Sequence, residues 1–323
     1  MAIQARTEFA AALNQVCSEH DITPEVVLES IKVAILAAYK KDYGEAENIT
    51  VDLDASTGEV KLIKNGTDLT PPGFGRIGAQ TAKQVIIQKI REAERTSIFT
   101  EFAGKIGTVV SALVLRPAGS LVIVNLGKTE GILPPAERIP GEQYLPSARM
   151  KFLIKEIKTG QKKEEIILSR ADPVFIAKLF EMEVPEVAAG TVAVKAIARE
   201  PGIRTKIAVA SNTLGVDPVG SCVGQKGVRV NAVNSEIGRE SIDIVAYDAN
   251  IEGFVASALA PAKNVKVKYD KKTNTAKVQV PTDQLSVAIG TGGVNVRLAS
   301  KLIGVKIDIV DEVGKQLGQK RGQ

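Results

Sequence analysis

The chain of 323 residues has no tryptophan, one histidine and two cysteines, and aromatic residues make up only 4% of it. Each scarcity removes a class of chemistry. With His20 alone, histidine-rich metal sites are excluded and nearly every His-dependent triad or acid–base scheme is left without its parts. Cys17 and Cys222 are too few and too isolated for a disulfide framework or a zinc site, so a reducing cytoplasm is the expected compartment. No stretch approaches the roughly 20 apolar residues of a membrane helix, and the opening Met-Ala-Ile-Gln-Ala-Arg has no apolar segment of the signal-peptide kind. There is no P-loop, no Gly-x-Ser-x-Gly elbow and no metal-spaced Cys/His set, so neither catalysis nor a metal or cofactor is expected.

What is present is a repeat. Val223-Gly224-Gln225-Lys226-Gly227-Val228-Arg229-Val230 leads to Ser241-Ile242-Asp243-Ile244-Val245; Ile289-Gly290-Thr291-Gly292-Gly293-Val294-Asn295-Val296-Arg297 leads to Lys306-Ile307-Asp308-Ile309-Val310. The leading glycines lie 66 residues apart and the Ile-Asp-Ile strands 65 apart. Two Gly-x-x-Gly turns between apolar helices, in matching frames, describe a tandem KH arrangement, whose loop clamps the backbone of single-stranded nucleic acid. Glycine permits both the turn and the approach of the backbone to a phosphate, and the following helix offers its N-terminal amides to the anion. In the first copy Gln225 and Lys226 fill the loop, which supplies a cation. Arg229 stands one turn into the helix as a second contact, with Val223, Val230, Ile242 and Ile244 as walls of the base groove. In the second copy Thr291 and Gly292 bring no charge, which leaves backbone amides and Asn295 or Arg297 to hold phosphate.

The net charge of +5 is unevenly spread: residues 1–100 carry 11 Lys and Arg against 14 Asp and Glu, while residues 101–323 carry 31 against 23. An acidic head on a basic body fits a body that meets phosphate and a head that meets something else. In the head, Thr23 and Pro24 start a helix with Val27, Ile31, Ala34, Ile35 and Ala38 on one face. Residues 48–64 read as a hairpin turning at Ser56-Thr57-Gly58, and a long helix is expected from about Gln80 to Phe102. Gly73-Phe74-Gly75-Arg76-Ile77-Gly78 satisfies the dinucleotide fingerprint, but Pro71-Pro72 precede it in place of a strand, so a hinge is expected there.

Residues 104–172 hold five short strands with glycine-rich turns, the pattern of an OB-type barrel. Single-strand binders stack bases on aromatic rings, yet only Tyr144 and Phe152 fall within this stretch. Two readings stand: weak RNA binding through Lys105, Arg116, Lys128 and Lys151, or a spacer. Phe152 is core on one and a stacking platform on the other. Asp172-Pro173 ends the barrel and a short amphipathic connector follows. Strands are expected at 192–199, 204–211, 241–246, 265–269, 275–280 and 305–310, and a polar, basic tail from Gly314 to Gln323 frays. Cys222, in an apolar setting without a nearby histidine, reads as a packed residue.

The order of helical head, barrel, KH and KH, together with specific stretches, resembles the bacterial NusA transcription factor family over essentially the full length. The resemblance is carried by Phe74–Glu92, Leu179–Val187, Ala198-Arg199-Glu200-Pro201-Gly202-Ile203-Arg204-Thr205-Lys206-Ile207-Ala208-Val209, Asp217–Gly224 and Asn295–Ser300. It implies a multidomain α+β protein: a helical N-terminal domain with a small sheet (1–101), an S1-type OB-fold barrel (102–172) and two prokaryotic-type KH domains (183–262 and 263–323). It implies docking on RNA polymerase through residues 1–101, engagement of single-stranded nascent RNA, and modulation of pausing, intrinsic termination and antitermination, with other antitermination factors as further partners. Arg204 and Lys206, inside the quoted stretch, join the RNA-contact set. Thr291 stands where family members commonly carry a basic residue, Asn125 replaces the usual aspartate of the barrel's Val-Asp-Leu-Gly, and no acidic extension follows the second KH segment. The competing reading is a stand-alone KH/S1 RNA-binding protein in RNA processing or ribosome assembly.

Overall fold

The computed structural model describes residues 8–20, 22–44, 48–159 and 164–311, and the chain divides after Gly104 into two compact units. The tail expected to fray lies outside the described residues. The first unit holds α1 (Glu8–His20), α2 (Pro24–Tyr43), β1 (Ile49–Leu53), β2 (Val60–Lys64), β3 (Thr67–Asp68) and α3 (Phe74–Ala103). Pro24 stands in the first turn of α2, and Val27, Ile31 and Ile35 are buried on the expected face; Thr23 marks the boundary without a side-chain capping bond. Three antiparallel strands in the order β1-β2-β3 give that face its partner. Ile49, Leu53, Val60 and Leu62 join Val27, Ile31 and Phe74 in one core.

The long helix begins at Phe74, six residues before the expected start, and this corrects the hinge reading. Gly73 alone turns the chain, at φ 84, while Gly75 and Gly78 lie inside α3. Gly78 is needed for contact: a Cβ there would come within 3.0 Å of Val60 Cγ2. Helical glycine costs about 1 kcal/mol against alanine, and close packing of α3 on β2 is the return.

The second unit opens with a closed barrel of β4 (Val109–Ala118), β5 (Leu121–Asn125), β6 (Glu130–Leu133), β7 (Arg149–Thr159) and β8 (Glu164–Ser169), in the order β4-β5-β6-β8-β7. Its first strand starts at Val109 and not at Gly104; Gly107 forms a turn whose N–H donates to Ile154 O at 2.8 Å. Phe152 is fully buried and belongs to the core. The Asn125 carboxamide accepts from Gly127 N at 2.7 Å, the turn-holding bond an aspartate would also make.

Asp172 caps α4 (Pro173–Glu183), accepting from Val174 N at 2.9 Å. The helix buries Phe175, Ile176, Leu179 and Phe180 in a core shared with barrel residues Ile139 and Leu153 and with Val192, Ile207, Val209, Val233 and Ile237 beyond. After α5 (Pro185–Ala188) comes the first repeat: β9 (Val192–Glu200), β10 (Arg204–Ser211), α6 (Pro218–Val223), α7 (Val228–Ile237) and β11 (Ser241–Ala246). The second is α8 (Ile251–Ala258), β12 (Lys266–Asp270), β13 (Thr275–Gln279), α9 (Leu285–Ile289), α10 (Val294–Ile303) and β14 (Lys306–Val310). In each sheet the middle strand runs antiparallel to the first and parallel to the last. The repeats stack: Ala198, Ala208 and Val245 on the first sheet pack against Phe254, Val255, Leu298, Ala299 and Leu302 of the second repeat.

Two arginines fasten the barrel to the first repeat. Arg170, fully buried, spends all five N–H donors: on Glu142 twice, on Glu236 Oε1 and on the carbonyls of Lys151 and Glu236. Arg199 pairs bidentately with buried Glu240 at 2.8 and 2.9 Å and donates to the carbonyls of Arg170 and Asp172.

Candidate nucleic-acid interface

The two Gly-x-x-Gly loops have the same backbone. Gly224 and Gly290 share φ 74 with ψ 171 and 166; Gly227 and Gly293 take φ 77 and 74. Between them Lys226 sits at φ 51, ψ 25 and Gly292 at φ 59, ψ 20. The first loop thus holds a lysine in a left-handed conformation that its twin gives to glycine. That placement costs roughly 1–2 kcal/mol for a residue with a Cβ. Gln225 and Lys226 are exposed, and Lys226 is unpaired among the described residues. Behind the loops α7 and α10 begin, and Val223, Val230, Ile242 and Ile244 are half-buried, the last three packed against the apolar core.

The other expected phosphate contacts are engaged internally. Arg229 donates to Glu186 Oε2 at 2.8 Å and Ser221 O at 2.5 Å, folding back over Gly224, where a Cβ would meet its Cγ at 2.8 Å. Asn295 is the matching residue of the second repeat and is fully buried. Its Nδ2 donates to Leu259 O, Val287 O and Ala288 O at 3.0–3.3 Å, so it braces the loop from behind and does not reach solvent. Arg297 pairs with Glu200 at 2.7 and 2.9 Å and donates to Gly292 O at 3.0 Å, tying the second loop to the first sheet.

Arg204 and Lys206 converge on Asp243, across the parallel β10–β11 pair, at 2.7–2.9 Å. Lys206 is fully buried and also donates to Ala260 O at 2.9 Å. It is a strut under the second repeat and not an RNA contact. Burial pulls its ammonium below the usual lysine range against the opposing pull of Asp243. Burial pushes the Asp243 carboxyl up, but Arg204 and Lys206 outweigh it and hold the group below the ordinary value.

In the barrel, Lys151 lies 3.6 Å from Glu183 and 3.9 Å from Glu236, within the joint to the first repeat, while Arg116 and Lys128 are exposed. The Tyr144 hydroxyl donates to Glu142 at 2.6 Å and accepts from Ile139 N; burial pushes the phenol above its normal range. With Phe152 in the core, neither barrel aromatic is a free platform. Cys222 is fully buried, its thiol pushed up to about 11 by burial, as a packed residue should be.

Three family models match: the NusA N-terminal domain over residues 8–69 and 67–96, the NusA-like first KH domain over 170–247 and the NusA-like second KH domain over 251–316. Among similar proteins, the transcription termination/antitermination protein NusA of Bacillus subtilis is 39% identical over 345 residues, covering 97% of this chain and 93% of its own. Its Mycobacterium tuberculosis H37Rv counterpart is 41% identical over 318 residues, covering 93% and 92%. The Thermus thermophilus protein is 35% identical over 343 residues, covering 93% and 89%. No helix among the described residues is long and apolar enough to cross a membrane. With a helical head, a five-stranded barrel and two stacked Gly-x-x-Gly modules in this order, the chain belongs to the NusA family of transcription termination/antitermination factors.

Proposed function

We propose that this factor docks on RNA polymerase through residues 1–101 and holds single-stranded nascent RNA along the tandem KH surface, changing how long the polymerase pauses. The observation that carries the RNA half is Lys226, an exposed cation held at φ 51 in a loop whose twin uses glycine. The negative head and positive body support the division of labour. Both loops support RNA contact through backbone amides, the first with a charge and the second without. The barrel, with Phe152 buried and Tyr144 bonded to Glu142, acts chiefly to position the KH pair. No chemical step is required: holding RNA shifts hairpin formation against translocation, and about 1.4 kcal/mol in a pause barrier changes its lifetime tenfold.

The test is the lifetime of a hairpin-stabilised pause on purified bacterial RNA polymerase. The full chain is compared with a form lacking residues 1–104, cut at the boundary between the two compact units. A longer pause that vanishes with the head is expected. No effect of the full chain, despite salt-sensitive RNA binding, would favour the stand-alone RNA-binding protein of RNA processing or ribosome assembly.

A further inference from the structure

The two KH sheets are built alike, but their outer faces carry different residues. In the first repeat Lys206 lies opposite Asp243 on β11 and Ala198 on β9, with Ala196 opposite Ala208. In the second repeat the same positions hold Lys277 opposite Asp308 on β14 and Lys268 on β12, with Lys266 opposite Gln279. The alanine-lined face of the first repeat is covered by α8 and α10 of the second. The corresponding face of the second repeat has no module stacked on it among the described residues, and Lys266, Lys268, Lys277 and Lys306 are all exposed there. Two alanines of the covered face have become lysines on the open one.

Those four lysines outnumber the carboxylates beside them, Asp270 and Asp308. Lys268 and Lys277 are direct cross-strand neighbours, an arrangement that disfavours folding when both carry the same charge. Lys306 has Asp308 at 3.2 Å, whereas Lys266, Lys268 and Lys277 have no carboxylate within salt-bridge range among the described residues.

We propose that the outer face of the β12-β13-β14 sheet is a second RNA-binding surface, taking the phosphate backbone of transcript that lies outside the Gly-x-x-Gly grooves. The face lies on the side of the sheet away from α10, whose Leu298 and Leu302 pack on Val278 and Ile309. An RNA held in the grooves therefore reaches it only if it is long enough to pass around the module. Lysine is depleted in protein–protein interfaces and this face has no aromatic or apolar centre. Rows of ammonium groups without a stacking ring read backbone charge, not bases. The assignment rests on the RNA half of the proposed function.

The experiment measures equilibrium binding of the full chain to two RNAs across a salt series. One has roughly eight nucleotides, enough for two four-nucleotide KH clamps, and one is about four times longer. Lys266→Gln/Lys268→Gln/Lys277→Gln should leave the short RNA unaffected. For the long RNA it should reduce the log–log salt slope by about 2 and the affinity by up to about a hundredfold near 0.1 M salt. The melting temperature should hold or rise as the Lys268–Lys277 repulsion is removed; if the triple variant unfolds, the single Lys268→Glu is read in the same way. Equal loss on both RNAs, or no loss on either, overturns the proposal. So does unchanged RNA binding with lost retention on polymerase, which would make the face a site for an acidic protein. Lys226→Gly in the same assay should weaken both RNAs; if it weakens neither, the groove reading fails instead, separately from this one.

Discussion

Lys226→Gly separates what the first loop costs from what it does. At φ 51 and ψ 25 the lysine occupies backbone space that glycine takes at the matching position, Gly292. Relief of that strain is worth roughly 1–2 kcal/mol, from which about 0.4–1 kcal/mol is lost because glycine frees the unfolded chain. The net gain of about 0.5–1 kcal/mol should raise the melting temperature by about 1–4 °C in a unit of this size. The same change removes one phosphate contact, lowering the salt slope by about 0.7 and affinity for single-stranded RNA by about fivefold near 0.1 M salt. Lys226→Met keeps the strain and removes the charge, so it should bind RNA as weakly as the glycine variant without melting later. Fluorescence anisotropy and a thermal melt on the three proteins give both readings. A glycine variant that melts earlier, or binds RNA with an unchanged salt slope, would refute the idea that the loop carries strain in exchange for a cation.

Three other substitutions probe the joint and the loops. Asp243→Asn should cost about 3–5 kcal/mol in urea unfolding at neutral pH, because Lys206 is left buried without its carboxylate. With Asp243 intact its folded carboxyl lies below the ordinary 3.8, so the stability it confers is present above that value. It drains away as pH falls through the folded value, and the asparagine variant should lack that part of the acid dependence. Gly290→Ala should destabilise by about 2–5 kcal/mol, since its Cβ would sit 2.8 Å from Asn295 Cβ and 2.9 Å from Asn295 N at φ 74. Gly292→Ala meets no atom within 4 Å and should cost only the left-handed conformation, about 1–2 kcal/mol; equal losses in a denaturant melt would contradict the contacts.

The repeat made much of the second unit legible. β10, α7 and β11 fall where the glycines and the apolar alternation place them, because Gly202, Gly227 and Gly238, all at positive φ, punctuate the chain ahead of them. α1 was not anticipated: its core contribution rests on a few residues such as Leu13 and Cys17, with no strong start signal before it. The early start of α3 was hidden by glycines whose purpose, contact with Val60, belongs to tertiary structure. Among the candidate contacts, the exposure of Lys226 was legible because its loop is local. Lys206, Asn295, Arg204 and Arg297 were not, because a basic or polar residue in sequence does not disclose that Asp243, Leu259 O or Glu200 will claim it. One signal was available: Lys206 and Asp243 recur as Lys277 and Asp308 in the second repeat. Only in the first copy do Ala196, Ala198 and Ala208 surround the pair on that face, and this small apolar lining marks Lys206 for burial.

The buried arginines bear on how a weak second loop still contributes. A desolvated pair such as Arg199 and Glu240, both side chains fully buried, gains little net stability over an apolar substitute. Displacing the partners, however, strands a charge at a cost of several kcal/mol. Arg170 has this property in stronger form, since its five donors are divided between the barrel and the first repeat and any sliding breaks several bonds together. Arg297–Glu200 and Lys206–Ala260 O extend the fastening to the second repeat. The spacing of the two Gly-x-x-Gly loops is therefore set by the fold and not by a linker. On the proposed function, RNA clamped at Lys226 would meet the Thr291-Gly292 loop at high effective concentration without further loss of freedom, so an uncharged loop would contribute where it is too weak alone.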